Sequence, residues 1–248
     1  MSLNMEQILG SYPRSRPQLT KEARVIYEKE YKLNRHGETF ITGIVDYLES
    51  WMHKKTGNVS GSPILELGAG TLNHLKYEKS FTAYDIVEPF ESLFKEQLRE
   101  LENIRNIYSN VEQIPEDTYY KRIISIATLE HMTNLPLDLC NAACHLADGG
   151  VFQAGIPTEG GLLWGLSWRL TTGVSYKLRT GLSYKNLMRH EHINNAQEIL
   201  LIIKHFFRVV SVRRFPLPFF HFSFYTYIEA KEPIKDRIFT YIDSRRTA

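Results

Sequence analysis

The stretch that decides the fold is ILELGAGT at residues 64–71. Its first four residues form a short apolar run, which is typical of a buried strand, and Gly68 ends that run at a tight turn. Gly68 and Gly70 leave the backbone bare, so that a ligand can approach it closely. We predict that the next helix begins near Thr71, where its unpaired N–H groups can hold a carboxylate.

Short apolar runs alternate with helical patterns from residue 64 to residue 157. The predicted strands are 64–67, 81–88, 104–108, 123–128 and 151–156, and the predicted helices are 90–102 and 134–147. This alternation favours an α/β fold, a doubly wound and mostly parallel sheet with helices on both faces. Two late runs, 208–215 and 222–229, lie close in sequence after a helix at 195–205, and they predict an antiparallel hairpin at the sheet edge.

The alternation of strands and helices through residues 64–157 suggests where the other parts of the chain begin and end. We divide the chain into an N-terminal arm with helices at 1–60, a core at 61–157, an inserted cap at 158–192, and a final helix, edge hairpin and tail of the same domain at 193–248.

The N-terminal part has three predicted pieces. Residues 1–19 lack a clear periodicity, which predicts an irregular arm. A helix is predicted from an N-cap at Thr20 to about Arg35. Apolar residues then recur at helical spacing from Phe40 to Met52, which predicts a second helix.

An acidic residue at the end of the second strand is predicted to form a ligand-binding site together with the glycine turn. That strand ends in YDIVEP at residues 84–89, and a carboxylate at a strand tip can accept hydrogen bonds from ribose hydroxyls. We expect Glu88 to do this; Asp85 is the alternative and should point to the opposite face. Glu66 would repel a pyrophosphate and suits a cationic ligand, and Asn73 occupies the position of the third glycine in a dinucleotide fingerprint.

Composition narrows the class of protein. The chain has 248 residues, a formal net charge of +2 and two cysteines, Cys140 and Cys144. This balance does not favour nucleic acid as a partner, and so few cysteines fit buried, reduced thiols. No apolar run reaches the roughly 20 residues needed to span a bilayer. We therefore expect a cytoplasmic protein that can also contact a membrane surface.

The core carries an ordered series of short motifs, which are ELGAG at 66–70, VEP at 87–89, NVEQIP at 110–115, ATLEHM at 127–132 and LADGGVFQAGIP at 146–157. This series resembles that of the class I S-adenosylmethionine-dependent methyltransferase family. The resemblance implies a Rossmann-like fold, S-adenosylmethionine as cofactor and methyl transfer as the activity.

The resemblance also implies which positions hold the cofactor. They are Glu66, Gly68, Ala69, Gly70, Thr71, Glu88, Asn110, Val111, Ala127 and Leu129. Residues 66–71 would hold the methionine end, Glu88 the ribose and Asn110 the adenine amino group. Asn110 replaces the aspartate that the family often has there, and its amide oxygen accepts a hydrogen bond without carrying charge.

Two histidines are the candidate catalytic bases. A hydroxyl acceptor must lose its proton during methyl transfer, and histidine is the usual base near neutral pH. His131 follows the fourth strand, and His192 precedes the late helix in a segment that resembles the family's acceptor-binding stretch. We expect no metal here; the alternative is a metal-binding group made of His190, Glu191 and His192.

The cap carries the candidate acceptor contacts, which are Trp164, Arg169, Tyr176 and His190. Residues 160–190 contain five Lys and Arg residues and no Asp or Glu. Three interpretations stay open: a lid over an anionic acceptor such as a phosphorylated sugar, a membrane-surface contact toward a lipid-linked acceptor, and an RNA contact, disfavoured because the patch is short.

The expected function is methylation, at oxygen, of a small-molecule, glycan or lipid-linked acceptor by in-line displacement. The alternatives are a non-catalytic S-adenosylmethionine-binding protein, an RNA methyltransferase and, from the glycine turn alone, a nicotinamide-dependent oxidoreductase.

Overall fold

A seven-stranded sheet forms the centre of the protein. The computed structural model describes residues 4–24, 26 and 40–247. The strands are β1 (Ile64–Leu67), β2 (Tyr84–Val87), β3 (Asn106–Tyr108), β4 (Tyr120–Ile126), β5 (Leu146–Pro157), β6 (Phe207–Pro216) and β7 (Ser223–Pro233). Their order is β3-β2-β1-β4-β5-β7-β6, and β7 pairs antiparallel with both β5 and β6 while the other pairs are parallel. The predicted doubly wound sheet and its edge hairpin are confirmed.

Helices cover both faces of this sheet. They are α1 (Met5–Gly10), α2 (Phe40–Gly57), α3 (Leu98–Leu101), α4 (Leu135–Cys144), α5 (Leu162–Leu170), α6 (Thr172–Thr180), α7 (Tyr184–Glu191), α8 (Ala196–Phe206) and α9 (Lys235–Arg246). The largest core joins α1, α4, α8 and α9 to one face of the sheet. On the other face, Met52 of α2 packs with Ile126 and Tyr225.

Strand β1 is buried on both sides, which explains its continuous apolar run. Successive side chains point to opposite faces, so that Leu65 and Leu67 join the largest core. Ile64 packs on the other face, with Tyr84 and Ile86 of the neighbouring strand. Strand β1 therefore lies inside the sheet with both of its faces packed, and the glycine turn follows directly from its carboxyl end.

The prediction that a helix begins at Thr71 is wrong. Residues 70–74 form a turn, and a single 3₁₀ turn follows at Leu75–Tyr77. Leu72 has a φ of 61°, which is incompatible with a right-handed helix, and its side chain is buried beneath the turn. Leu72 packs in a core cluster on one face of the sheet, together with Ile64 of β1 and Tyr84 of β2, and the chain turns there instead of forming a helix.

The prediction of one continuous helix at 90–102 is also wrong. The segment contains a 3₁₀ turn at Glu91–Leu93 and the short helix α3. Helices in proteins depend mainly on packing of an apolar face. Here Phe94 is buried and Leu93 and Leu101 pack beside it, while the residues at 91, 92, 95 and 96 are exposed, so the segment does not present the continuous apolar face of a long helix.

The two ends of the chain are more ordered than the sequence predicted. Residues 5–10 form α1 instead of an irregular arm, because Asn4 caps the helix and Ile8 is buried in the largest core. The predicted N-cap is confirmed, since Thr20 Oγ1 accepts a hydrogen bond from Ala23 N at 3.2 Å. Residue 25 and residues 27–39 of that predicted helix lie outside the described residues.

Helix α9 was expected from the sequence only as part of the tail. It is polar over most of its length, but Ile238 and Ile242 pack into the core beside α4 and α8. Among the described residues, none of the helices combines the length and the apolar character that crossing a bilayer requires.

Candidate active site

A cavity of about 800 Å³ opens at the carboxyl ends of β1, β2 and β4. In a doubly wound sheet, ligands bind at this edge. Six of the ten sequence-predicted cofactor positions line it: Gly68, Gly70, Glu88, Asn110, Val111 and Ala127. The structure therefore brings together residues that lie up to 59 positions apart in the sequence.

The glycine turn forms the bare wall of this cavity. Gly68 has a φ of 70°, and a Cβ there would lie 2.6 Å from Thr128 Oγ1. Gly70 has a φ of 53°, and a Cβ there would meet no atom within 4 Å. Both glycines adopt a conformation that side chains disfavour, but Gly68 allows close packing while Gly70 keeps the cavity open.

Glu88 lies beside that wall and is almost fully buried. Its Oε2 accepts a hydrogen bond from Gly70 N at 2.8 Å, and its Oε1 accepts one from Phe90 N at 3.0 Å. These bonds fix the carboxylate at the cavity surface. Because an ionised carboxylate can accept about four hydrogen bonds, capacity for two hydroxyl donors is left.

Asp85, the alternative ribose ligand, does not line the cavity. Arg105 binds it through Nε at 2.9 Å and Nη2 at 2.6 Å, and the Tyr120 hydroxyl donates to its Oδ2 at 2.7 Å. Burial alone would raise the pKa of Asp85, but the hydrogen bonds from Arg105, Tyr120 and Asn106 lower it below its usual value. Asp85 therefore links β2 to β3 and β4.

Glu66 is buried and does not line the cavity. The Tyr84 hydroxyl donates a hydrogen bond to its Oε2 at 2.7 Å. Desolvation raises the pKa of Glu66 to about 7, although His74 and the Tyr84 hydrogen bond act in the opposite direction. The structure therefore places Glu66 against Tyr84 of β2 and outside the lining of the cavity in which it was expected.

Three further predicted cofactor positions also lie away from the cavity. Ala69 is buried in the core cluster that contains Ile64 of β1 and Tyr84 of β2, and Leu129 is buried in the largest core. Thr71 lines a separate depression of about 410 Å³ together with Asn73 and Lys76. Because no helix begins at Thr71, the N–H groups expected to hold a carboxylate there are not arranged as a helix N-terminus.

The far end of the cavity is formed by the loops after β2 and β3. Asn110 is exposed at this end, and Val111 begins a 3₁₀ turn. The ring of Phe90 is 60% exposed and lines the cavity, as does Asp138 of α4. Burial, with a contribution from Glu112, raises the pKa of Asp138 to about 6. Sequence reasoning missed both residues; the position of Phe90 directly after VEP was the available signal for it.

His131 lies at the cavity wall, in the 3₁₀ turn that follows β4. Its Nδ1 is 2.8 Å from the carbonyl oxygen of Glu191. Because a carbonyl can only accept, Nδ1 carries a hydrogen, and in the neutral imidazole the lone pair is therefore on Nε2. Arg16 Nη2 donates to the His131 carbonyl at 3.2 Å, so that the N-terminal arm also holds this turn.

His192 packs edge-on against His131, with ring centroids 4.9 Å apart, but does not itself line the cavity. Its Nδ1 lies 2.7 Å from Glu159 Oε2. Burial lowers the pKa of His192, but the hydrogen bond to Glu159 and the charges of Glu130 and Glu191 outweigh it and raise that pKa. The two predicted bases are thus neighbours, which their separation of 61 residues did not reveal.

Asn194 ties the two histidine loops together, and sequence reasoning missed it. Its Nδ2 donates to the carbonyl oxygens of Leu129 and Met132, both at 2.8 Å. Its Oδ1 accepts from the Tyr12 hydroxyl at 2.6 Å, which adds the N-terminal arm to the same junction. One buried amide therefore fixes the distance between the turn of His131 and the segment of His192.

The four predicted acceptor contacts do not line the cavity. Trp164 packs on Tyr225 at a centroid distance of 5.9 Å, and Arg169 stacks on Trp168 at 4.6 Å. Tyr176 is buried within the cap, and His190 Nδ1 bonds the Pro17 carbonyl at 2.7 Å. An acceptor role for these residues stays a prediction.

Comparison with known proteins gives one curated relative. The chain is 31% identical over 111 residues to malonyl-[acyl-carrier protein] O-methyltransferase of Bacillus cytotoxicus. The match spans 42% of this chain and 39% of that protein's length. No protein-family model matches the chain.

Solved structures match over most of the chain. An S-adenosylmethionine-dependent methyltransferase of Thermotoga maritima superposes with a TM-score of 0.55 at 15% identity, over 82% of this chain and 95% of that one. The plantazolicin methyltransferase BpumL, solved with S-adenosylhomocysteine, gives 0.53 at 12% identity, over 91% and 94%. The chain has the fold of the class I S-adenosylmethionine-dependent methyltransferases. The resemblance seen in the sequence is confirmed at this level, and the methyltransferase fold puts the cavity described above at its ligand-binding edge.

Proposed function

We propose that this chain transfers a methyl group from S-adenosylmethionine to an oxygen of a small-molecule, glycan or lipid-linked acceptor. The observation that carries the proposal is the pairing of Gly70 with Glu88 at the cavity wall. The Gly70 N–H orients a buried carboxylate while the missing side chain leaves space in front of it. An adenosine ribose, with two adjacent hydroxyls, matches this arrangement.

The remaining lining residues fit the other parts of the cofactor. Asn110 would accept from the adenine amino group, and the exposed ring of Phe90 would offer an apolar surface to the base. Gly68 and Ala127 would allow the methionine portion to pass close to the backbone. Bound S-adenosylmethionine supplies a methyl group on a positively charged sulfur that leaves as a neutral thioether.

His131 is the proposed general base for a hydroxyl acceptor. Its Nδ1–H is held by the Glu191 carbonyl, so Nε2 is the nitrogen that can take a proton. The acceptor oxygen would form a bond to the methyl carbon as the carbon–sulfur bond breaks, and the hydroxyl proton would pass to Nε2. Positioned bases of this kind contribute about 10² to 10⁴ in rate.

Of the three proposed classes of acceptor, the residues of the cap favour a lipid-linked one. Leucines at 162, 166, 170 and 178 are all more than half exposed, and they accompany five basic residues with no acid between 160 and 190. Exposed apolar side chains together with basic ones suit an anionic membrane. A soluble anionic acceptor would use the same charges without needing the leucines.

The test is methyl transfer into acceptor pools. Purified protein is incubated with labelled S-adenosylmethionine and separate fractions of soluble metabolites, glycans, lipids and RNA, and the methylated product is identified by mass analysis. We expect label at oxygen in one of the first three fractions. Label in RNA, or cofactor binding with no transfer to any pool, would contradict the proposal.

Glu88→Ala is the matching variant. Loss of the charge-assisted hydrogen bonds should weaken binding of S-adenosylhomocysteine by about 1.5–3 kcal/mol, roughly 10- to 150-fold in Kd by calorimetry. Glu91→Ala is the control, because Glu91 is an exposed acid three residues further along the same loop. Equal affinity of the two variants would remove the ribose role from Glu88.

A further inference from the structure

Glu130, His131 and His192 form a cluster beside the cavity. One ligand atom from each of them lies within 4.8 Å of those of the other two. We propose that this Glu130–His131–His192 cluster binds one divalent transition-metal cation, of which Zn²⁺ is the representative. The cluster shares only His192 with the His190, Glu191 and His192 group that the sequence offered as an alternative.

The hydrogen bonds of both imidazoles leave the same nitrogen available. His131 Nδ1 donates to the Glu191 carbonyl at 2.8 Å, and His192 Nδ1 donates to Glu159 Oε2 at 2.7 Å. Histidines that bind metals almost always donate their second ring N–H to a carboxylate or a backbone carbonyl in this way. Both Nε2 atoms are therefore prepared as metal ligands.

Glu130 adds a carboxylate, and the described residues do not satisfy all of its hydrogen-bonding capacity. Its side chain is 2% exposed, and Oε2 has no hydrogen-bond partner among the described residues. Its Oε1 lies 3.9 Å from His131 Nε2, which is too long for a hydrogen bond. Burying an unsatisfied carboxylate oxygen costs several kcal/mol, and a bound cation would offset that cost.

The charged groups around the cluster also favour a bound cation. The carboxylates of Glu130, Glu159 and Glu191 surround the two imidazoles, and Arg16 brings one positive charge through its ion pair with Glu191 at 3.5 Å. With both imidazoles neutral, as they must be to bind a metal, these groups sum to two negative charges. One divalent cation balances that sum.

Two imidazole nitrogens and one carboxylate are a donor set that suits Zn²⁺ and disfavours Mg²⁺. Zinc bonds of about 2.0–2.2 Å require ligand atoms no more than roughly 4 Å apart, so small side-chain rotations would close the site. Three protein ligands leave one position open. Because His131 lines the cavity, an acceptor hydroxyl could occupy that position in the zinc-bound chain. His131 Nε2 would then be a metal ligand and no longer the base, and the cation would acidify the hydroxyl so that its proton passes to water.

This last role rests on the proposed function, whereas cation binding does not. The experiment therefore measures both. Chain stripped with a chelator is titrated by calorimetry with Zn²⁺, with Mg²⁺ and, separately, with S-adenosylhomocysteine, and Co²⁺ is added to follow its visible absorption. We expect one Zn²⁺ per chain, no comparable Mg²⁺ binding, and an intense Co²⁺ spectrum typical of low coordination number.

Variants assign the ligands. Glu130→Gln, His131→Asn and His192→Asn should each weaken Zn²⁺ binding by more than about 100-fold, and Glu159→Gln should weaken it by about 10- to 100-fold through the lost orientation of His192. His190→Asn is the matched control and should bind Zn²⁺ like the unmodified chain. Circular dichroism confirms that each variant is folded.

The proposal is overturned if the unmodified chain takes up no Zn²⁺, or if folded Glu130→Gln binds it as well as His190→Asn does. Loss of binding in His190→Asn and His192→Asn, with Glu130→Gln and His131→Asn still binding Zn²⁺, would overturn the proposal and assign the metal to the His190, Glu191 and His192 group. A chain that binds S-adenosylhomocysteine but no Zn²⁺ defeats only the metal site, and the reverse result defeats the proposed function.

Discussion

Gly68 and Gly70 lie two residues apart in one turn, and they are required for different reasons. A Cβ on Gly68 would collide with Thr128, whereas a Cβ on Gly70 would project into open space at the cavity wall. Gly68→Ala should therefore lower the free energy of unfolding by about 2–4 kcal/mol, from overpacking and backbone strain together, as measured by urea denaturation.

Gly70→Ala should cost only the strain of a left-handed alanine, about 1–2 kcal/mol, but should weaken S-adenosylhomocysteine binding at least about tenfold. Gly149→Ala is the matched control, because Gly149 has a similar φ of 69° with nothing within 4 Å of the added Cβ and lies outside this cavity. Equal cofactor affinity in Gly70→Ala and Gly149→Ala would show that the bare wall does not contact the cofactor.

The buried carboxyl of Glu66 makes stability depend on pH. Desolvation raises its pKa from the usual 4.5 of a glutamate to about 7 in the folded chain, so the folded protein holds its proton more tightly. The stabilisation is fully present below pH 4.5 and is lost as the pH rises through about 7. A shift of this size corresponds to about 3 kcal/mol.

Glu66→Gln removes this dependence while keeping an oxygen for the Tyr84 hydroxyl. Relative to this variant, the unmodified chain should lose up to about 3 kcal/mol of unfolding free energy between about pH 4.5 and pH 8, measured by urea denaturation at each pH. A difference that stays constant over this range would mean that Glu66 ionises normally in the folded protein.

At the scale of elements, the cap helices α5 and α6 carry the apolar surface. Leu166 and Leu170 are 54% and 70% exposed on α5. The protein should sediment with phosphatidylglycerol vesicles more than with phosphatidylcholine vesicles, and added salt should reduce the difference. Replacing both leucines by serine should lower vesicle partitioning at least about tenfold, because each buried leucine contributes about 1.5–3 kcal/mol.

Phe239→Ser provides the control for this surface, since Phe239 is a 52% exposed apolar residue on α9 outside the cap. It should leave partitioning unchanged. If the double leucine variant binds anionic vesicles as well as Phe239→Ser does, the cap surface has another role, and a soluble anionic acceptor becomes the better interpretation of its charges.

At the scale of the whole molecule, cofactor binding should stabilise the fold. A ligand that binds only the native state, present at 100 times its Kd, adds about 2.7 kcal/mol to the free energy of unfolding. For a chain of this size that corresponds to a rise in Tm of roughly 5–10 °C. S-adenosylhomocysteine should produce this shift in a thermal melt and NAD should not. A shift with NAD alone would support the oxidoreductase interpretation of the glycine turn.

Prediction from the sequence succeeded for elements that are specified locally and failed where packing decides. The alternation of runs identified the β1 strand and the order of strand and helix, because a buried strand needs a continuous apolar run. The helix expected at Thr71 failed because Leu72, which is buried, has a left-handed backbone conformation that a right-handed helix cannot contain. Helix α9 was missed because only a few of its residues contact the core.

The sequence by itself determined the strands of the parallel core and the glycine turn, since each is encoded by residues close together in the chain, and it named Glu88 as the expected ribose ligand. Only the tertiary structure decided that Glu66 lies outside the cavity lining and that Glu130, His131 and His192 meet. The Asn194 amide bonds the loop of His131 to the segment of His192. Contacts of that kind join positions about 60 residues apart, and no local periodicity or spacing in the chain encodes them.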